Sequence, residues 1–95
     1  MTTFSPEFLP SAKNEWDKLG ANVREQFARK LRERLMAPHV PSARLSNMPD
    51  YYKIKLRAAG YRLVYRVDDG RVVVIVVAVG KRDRNIVYKI AMGRV

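Results

Sequence analysis

Residues 51–79, YYKIKLRAAGYRLVYRVDDGRVVVIVVAV, contain three strand patterns in succession and decide the fold. Apolar and cationic side chains alternate in 51–57, which is typical of an antiparallel strand with one face on a core. The pattern in 61–67 alternates in the same way. The third, 71–79, is apolar at both parities, as expected of a central strand covered on both faces. The sequence therefore predicts an antiparallel meander whose last strand is central.

Short turns join the three predicted strands. Residues 58–60 connect the first pair, and Asp68, Asp69 and Gly70 connect the second, where Asp-Gly is a strong signal for a tight hairpin. Asp is favoured in turns for local reasons, so we interpret both aspartates as turn residues. With Asp83 they are all the carboxylates of the second half, which argues against a two-metal site.

The N-terminus predicts a short strand followed by a first helix. In residues 2–8, TTFSPEF, apolar side chains alternate, and Pro6 confines the strand to a sheet edge. The apolar period then becomes helical. We expect Ser11 to be the N-cap of this helix and Gly20 to end it in a left-handed cap.

The second helix has the clearest pattern. Asn22 and Glu25 are spaced as a capping box, and Pro38 stops the helix. Its other face, RKLRER at 29–34, is basic but has Glu partners at i,i+4 spacing, so we interpret it as a solvated face. Its core-facing positions form an apolar stripe, which consists of Val23, Phe27, Leu31 and Leu35.

Two further segments complete the fold. Residues 37–50 have three prolines and several turn-forming residues, which predicts a loop, and the single His39 within it is interpreted as structural. Beyond Gly80, Asp83 is positioned to cap a short C-terminal helix. We expect one α+β domain, residues 1–95, of order β-α-α-β-β-β-α. Its small antiparallel sheet has two N-terminal helices packed on it.

The composition excludes several classes of site. The chain has no Cys and one His, which rules out disulfides, thiolate zinc sites and an imidazole-rich metal site. The longest apolar run, 72–79, has eight residues, whereas a membrane span needs about 20. The N-terminus lacks the regions of a signal peptide. We expect a soluble, metal-free, cofactor-free cytoplasmic protein.

The net charge of +10 lies mostly in the second half. Residues 1–50 contain eight Lys and Arg against six Asp and Glu, whereas residues 51–95 contain eleven against three. Such an excess repels itself and attracts a polyanion such as nucleic acid. The alternative is a basic surface that serves only solubility.

Pairing of the predicted strands brings many cations to one sheet face. Cross-strand neighbours on one face lie roughly 4.5 to 8 Å apart, so the side chains of the first two strands can converge. Residues 80–84, GKRDR, add cations at the end of the third strand, and the last helix brings Tyr88. The predicted set comprises Lys53, Lys55, Arg57, Arg62, Arg66, Lys81, Arg82, Arg84 and Tyr88.

This set suits an RNA strand, because cations bind phosphates and an aromatic plane stacks a splayed base. Metal-free cleavage further needs a base for the 2′-hydroxyl, charge stabilisation at the phosphate and an acid for the leaving oxygen. Neighbouring cations push the pKa of a Lys below its ordinary value of ~10.4, so a crowded Lys can serve as the base. Arg stays charged and suits stabilisation.

The sequence also resembles a known family. NEWDKLGANVREQF at 14–27, MPDYYKIKLRAAGYRLVYRV at 48–67, VVVIVVAVGKRDR at 72–84 and the pair VY at 87–88 are similar to the RelE toxins of type II toxin–antitoxin systems, in the RelE/ParE superfamily. The resemblance covers nearly the whole chain. It implies a microbial-ribonuclease-like α+β fold that cleaves mRNA in the ribosomal A site.

The resemblance implies a role for each residue of the family's catalytic set. Lys55 is the expected base, Lys53 and Arg62 stabilise the phosphate and the transition state, and Arg82 stabilises and donates a proton. Tyr88 stacks a base or orients the nucleophile, and whether Lys55 or Tyr88 activates the 2′-hydroxyl stays open. The cations expected to bind RNA and the ribosome are Arg57, Arg66, Lys81 and Arg84.

The same resemblance implies the partners. These are a cognate RelB-like antitoxin, which wraps the toxin, and the 70S ribosome with mRNA, where the toxin meets the A site and 16S rRNA. The toxin alone is expected to be monomeric. Two alternatives stay open: a non-enzymatic toxin acting on DNA gyrase, like the ParE relatives, and an RNA-binding module without turnover.

Overall fold

A computed structural model of the chain describes residues 3–46, 48–81 and 86–94. The elements follow the predicted order, and the α+β class is confirmed. A 3-10 turn, Pro41–Ala43, lies in the loop that follows the second helix. The helices and strands are β1 (Ser5–Phe8), α1 (Pro10–Asp17), α2 (Ala21–Met36), β2 (Tyr51–Leu56), β3 (Tyr61–Asp68), β4 (Val73–Lys81) and α3 (Ile86–Gly93).

The four strands form one sheet in the order β1-β4-β3-β2. β2 pairs with β3 and β3 with β4 in antiparallel fashion, as the meander predicts. β1 lies at the edge, as predicted, but it pairs with β4 in parallel, with Ser5 opposite Val73 and Phe8 opposite Val76. The sheet is therefore mixed. The long connection through two helices permits the parallel pair, which no hairpin can make.

Apolar side chains cover the sheet on both faces. On the α1/α2 face, Phe27 and Leu31 pack against Ile54 and Leu63 of the sheet. On the α3 face, Val87 and Ala91 pack against sheet residues that include Val64 and Ala78. Residues 73–79 of β4 are buried throughout. The prediction of a central strand covered on both faces is confirmed, and the protein has three layers.

The predicted start and end of the first helix are wrong. α1 begins at Pro10, and Leu9 is its N-cap without a side-chain cap hydrogen bond, so Ser11 lies inside the helix. Proline suits the first helical position because its missing N–H would have no partner there. Gly20 has φ −60° and is the N-cap of α2, so it forms no left-handed cap.

The core-facing stripe of α2 is confirmed, whereas its capping box is wrong. Because Gly20 is the N-cap, Asn22 lies in the first turn, where its side chain accepts a hydrogen bond from Gln26 Nε2 at 3.4 Å. Phe27 and Leu31 are buried, and Val23 and Leu35 pack against the same core. The helix ends at Met36, before Pro38.

The connection between β3 and β4 differs from a tight Asp-Gly hairpin. β3 ends at Asp68 and β4 begins at Val73, and the left-handed residue is Val72, with φ 56°, rather than Gly70. Asp68 has the local role predicted for it, since its Oδ1 accepts a hydrogen bond from Arg71 N at 3.2 Å. Asp83, the predicted cap of the last helix, lies outside the described residues.

None of the helices in the described part of the chain is long and apolar enough to cross a lipid bilayer.

Candidate active site

The structure places two of the predicted cations directly opposite each other. Lys55 of β2 pairs across the sheet with Arg62 of β3, and Lys53 pairs with Val64. Because Val64 belongs to the core beneath α3, all of these side chains project to the α3 face. Lys53, Lys55 and Arg62 are half-buried. The α3 face therefore carries a cationic row close to its apolar core.

Helix α3 adds an aromatic side chain to this row. Arg62 Nη1 donates a hydrogen bond of 2.8 Å to the Tyr88 hydroxyl, and Arg62 Cζ lies 5.4 Å from the centre of the Tyr88 ring. The buried Val87 and Ala91 lie four residues apart on one face of α3 and fix the helix on the sheet. Packing of α3 thus determines where Tyr88 meets Arg62.

An open cleft of about 350 Å³ adjoins the row at the edge strand β2. Four cations line it, with Ser42 and Ala43 beside them: Arg34, Lys53, Lys55 and Arg57. The sequence predicts Lys53, Lys55 and Arg57 for this region but misses Arg34, which it assigns to the solvated face of α2. The i,i+4 pair Glu25 and Arg29 on that face is confirmed, at 3.7 Å.

Two further cations of the predicted set, Arg66 and Lys81, lie apart from the cleft. Arg66 lies farther along β3, opposite Tyr51, and its Nη2 is 3.9 Å from Asp68 Oδ2. Lys81 is exposed at the end of β4, opposite Tyr61, and strand alternation puts it on the α1/α2 face. Arg82 and Arg84 lie outside the described residues.

Three tyrosines of the sheet pack in the core, whereas His39, which is interpreted as structural, is exposed and lies beside a turn residue. Tyr52 and Tyr65 are buried with their rings stacked 5.6 Å apart, and Tyr61 packs against the same core. His39 Nε2 lies 2.9 Å from an oxygen of Asp69. Burial raises the pKa of the Tyr65 hydroxyl, and the neighbouring Arg34 lowers it in part.

Carboxylates are scarce around the cationic row. No group of three or more His, Cys, Asp or Glu is placed to hold a metal ion within residues 3–46, 48–81 and 86–94. The chemistry available at the row is that of Lys, Arg and Tyr, which bind anions, stabilise negative charge and transfer protons.

The sequence and the fold are those of a family of small toxins. The sequence model of the family described as the ParE toxin of type II toxin-antitoxin system, parDE, matches residues 7–86. The chain belongs to this family, and the RelE/ParE resemblance is confirmed. It is 53% identical over 89 residues to the mRNA interferase toxin RelE of Escherichia coli K12, covering 94% of each chain. It is 48% identical over 91 residues to a putative RelE-like toxin protein of E. coli, covering 96% of each.

Solved structures of RelE toxins share the fold. A double Arg→Ala mutant of E. coli toxin RelE in the free state superposes with a TM-score of 0.91 at 48% identity, over 98% of both chains. The toxin in the intact E. coli RelBE toxin–antitoxin complex gives 0.82 at 52% identity, over 85% of this chain and 99% of that one.

Proposed function

We propose that this protein is the toxin of a type II toxin–antitoxin system and an endoribonuclease that cleaves mRNA in the ribosomal A site. Membership of the toxin family and 53% identity to an mRNA interferase support this proposal. The observation that carries it is the row formed by Lys55, Arg62 and Tyr88, where an amine, a hydrogen-bonded guanidinium and a phenol lie side by side.

The proposed reaction is an attack of a 2′-hydroxyl on the adjacent phosphorus. Lys55, in its neutral form, accepts the hydroxyl proton as the new O–P bond forms. Lys53 and Arg62 stabilise the charge on the phosphate oxygens. The bond to the 5′-oxygen breaks, Arg82 stabilises the charge that develops on this oxygen, and the oxygen takes its proton from water, because Arg stays charged. The products are a 2′,3′-cyclic phosphate and a 5′-hydroxyl.

Tyr88 either stacks on a base or orients the nucleophile. Its hydroxyl is held by Arg62 while its ring lies at the border of the row, so both roles agree with its position. Base–aromatic stacking contributes about 1–3 kcal/mol per base. In this proposal Arg57, Arg66, Lys81 and Arg84 bind RNA and the ribosome.

The proposed partner is a RelB-like antitoxin that neutralises the toxin by wrapping it. The support is that E. coli RelE, with the same fold and 52% identity, forms a toxin–antitoxin complex with RelB. The proposed site of action is the cytoplasm, where ribosomes carry mRNA, and the toxin alone is proposed to be a monomer.

Cleavage on programmed ribosomes tests the proposed function. The purified protein is added to ribosomes stalled with a defined A-site codon, and the 3′ ends of the mRNA are mapped beside a sample of naked mRNA. We expect breaks at the A-site codon, lost in Arg62→Ala and retained in Arg32→Gln, an exposed arginine of α2. Intact mRNA with the folded wild-type protein would refute the proposal.

The family description names ParE, which favours DNA gyrase as a second candidate target. Cations beside a tyrosine suit an RNA strand with a splayed base, so the row favours RNA cleavage. Inhibition of gyrase supercoiling at protein concentrations that leave A-site mRNA intact would reverse this preference.

A further inference from the structure

We infer that Arg34 of α2 binds a backbone phosphate of the mRNA next to the scissile phosphate and thereby extends the proposed active site along the edge of β2. The inference rests on the proposed function. It names a residue that the sequence pattern assigns to a solvated helix face. It also divides the cations of the cleft into two groups. Lys53 and Lys55 take part in the cleavage reaction, and Arg34 and Arg57 bind the RNA backbone.

Two hydrogen bonds anchor Arg34 to the sheet. Its Nη1 donates to the backbone carbonyl of Lys53 at 3.2 Å and to the Tyr65 hydroxyl at 2.8 Å. The Tyr65 hydroxyl in turn donates to the Pro38 carbonyl at 2.8 Å. Tyr65 is fully buried, so this chain of hydrogen bonds has a rigid base. The guanidinium is held in place before any ligand arrives.

Arg34 meets the sheet at the Lys53 carbonyl because β2 is its edge strand. β2 is an edge strand, so some of its backbone groups point away from β3 and need other partners. The Tyr51 carbonyl accepts a hydrogen bond from Leu45 N at 2.9 Å, and two residues later the Lys53 carbonyl accepts from Arg34. Arg34 therefore occupies the place where a neighbouring strand would otherwise pair.

The anchored guanidinium keeps donors for a ligand. A guanidinium has five N–H donors, and both hydrogen bonds of Arg34 to described residues use the two on Nη1. Of the three on Nε and Nη2, the Nε–H and one Nη2–H share a planar edge, the geometry that matches two phosphate oxygens. Because Arg34 is already ordered, little rotamer entropy is lost when it binds.

The charge around Arg34 favours a polyanion. Four cations, Arg34, Lys53, Lys55 and Arg57, line the cleft, and no carboxylate is among its described lining residues. Like charges gathered in one cleft repel one another, and a bound phosphodiester relieves that repulsion. Successive phosphates of one RNA strand can contact Lys53 and Arg34 together, because a hydrogen bond holds the Arg34 guanidinium at the Lys53 backbone.

The first experiment is an NMR titration of the free protein with 2′-O-methyl oligonucleotides, which cannot be cleaved through the 2′-hydroxyl. A trinucleotide with two phosphates is compared with a dinucleotide that has one. We expect a saturable shift of the Arg34 Nε–Hε signal with the trinucleotide and about 10-fold tighter binding than for the dinucleotide. This readout does not depend on cleavage, so it stands apart from the proposed function.

Matched variants decide whether Arg34 is responsible. Arg34→Gln should bring the ratio of the two affinities close to one, Arg34→Lys should restore part of it, and Arg32→Gln should leave it unchanged. An unshifted Arg34 signal, or the full ratio in Arg34→Gln, would overturn the inference.

Kinetics on programmed ribosomes distinguish mRNA from ribosomal RNA as the source of the phosphate. Arg34→Gln should raise KM for programmed ribosomes about 10-fold and change kcat less than about 3-fold, because it removes binding rather than chemistry. A purely structural role would lower the active fraction, and so kcat, without raising KM. Equal weakening of binding to vacant ribosomes would overturn the assignment to mRNA.

Discussion

Arg62 and Tyr88 are joined by a hydrogen bond of 2.8 Å, and the Arg62 guanidinium carbon also lies 5.4 Å from the centre of the Tyr88 ring. Arg62 belongs to β3 and Tyr88 to α3, so this contact joins two layers of the protein. Consequently, the geometry of the proposed site depends on the docking of the C-terminal helix.

Removal of the Tyr88 hydroxyl should impair cleavage without unfolding the protein. Tyr88→Phe keeps the ring for stacking but loses the hydrogen bond to Arg62. We expect kcat for A-site cleavage to fall about 100-fold if the hydroxyl orients or activates the nucleophile. Tyr61→Phe, on the other face of the sheet, is the matched control and should cleave normally. Full activity of Tyr88→Phe would leave only the stacking role.

A partly buried ion pair should hold α3 on the sheet. Arg94 contacts both carboxylate oxygens of Glu15, at 2.9 and 3.0 Å, and the Val77 carbonyl at 2.8 Å. We expect Arg94→Ala to lower the free energy of unfolding by about 2–3 kcal/mol, measured by urea denaturation. Lys13→Ala breaks a pair that is more than half exposed and should cost about 0.5 kcal/mol or less. Equal losses in the two variants would contradict this account.

The buried Tyr65 hydroxyl should make stability depend on pH above 10. Burial raises its pKa above the ordinary value of 10.0, so the folded state holds this proton more tightly than the unfolded state does. Its contribution is complete below pH 10 and is lost as the pH rises through the folded-state pKa. We expect the wild type to lose up to about 1.4 kcal/mol more per pH unit than Tyr65→Phe in that range.

Denaturant titrations of both proteins between pH 9 and 11 measure this difference. In this comparison, the contributions of all the other side chains to the pH dependence cancel, because both proteins contain them. At neutral pH, Tyr65→Phe should itself be about 1–2 kcal/mol less stable, because the Pro38 carbonyl loses its donor. Parallel pH profiles of the two proteins would show that Tyr65 does not contribute to the pH dependence of stability.

The left-handed backbone at Val72 should be a source of strain. Its φ of 56° is unfavourable for a β-branched side chain. Asn tolerates this conformation, whereas Thr has the shape of Val and keeps the strain. We expect Val72→Asn to be about 1 kcal/mol more stable than Val72→Thr in urea denaturation. A Thr variant as stable as the Asn variant would contradict the prediction.

Strand alternation accounts for how much of the fold and the site is predictable from sequence. Because side chains on a strand alternate between two faces, the pattern around Lys53 and Lys55 predicts both the core and the cations that share one sheet face with Arg62. The apolar run 73–79 likewise predicts a central strand, since only a strand with other elements packed on both of its faces needs apolar residues at both parities. The burial of both segments agrees with these predictions.

Features set by competition between local groups are less predictable. Ser11 and Asn22 are good N-caps in isolation, but Pro10 and Gly20 move each helix start away from them. Similarly, Asp69-Gly70 favours a tight hairpin, whereas the left-handed residue of this connection is Val72, next to Val73, which pairs with Ser5 of β1. The sequence pattern misses Arg34 because its partners, Lys53 and Tyr65, lie 19 and 31 residues away in the chain.

The measurement that tests the central claim most directly uses an mRNA with a single 2′-O-methyl group at the nucleotide 5′ of the scissile phosphate. The wild-type protein is added to ribosomes programmed with this mRNA or with its unmodified counterpart. The account predicts cleavage of the unmodified mRNA to a 2′,3′-cyclic phosphate and a 5′-hydroxyl, and no cleavage at the methylated position. Equal cleavage of both mRNAs, with 5′-phosphate ends, would contradict attack by the 2′-hydroxyl.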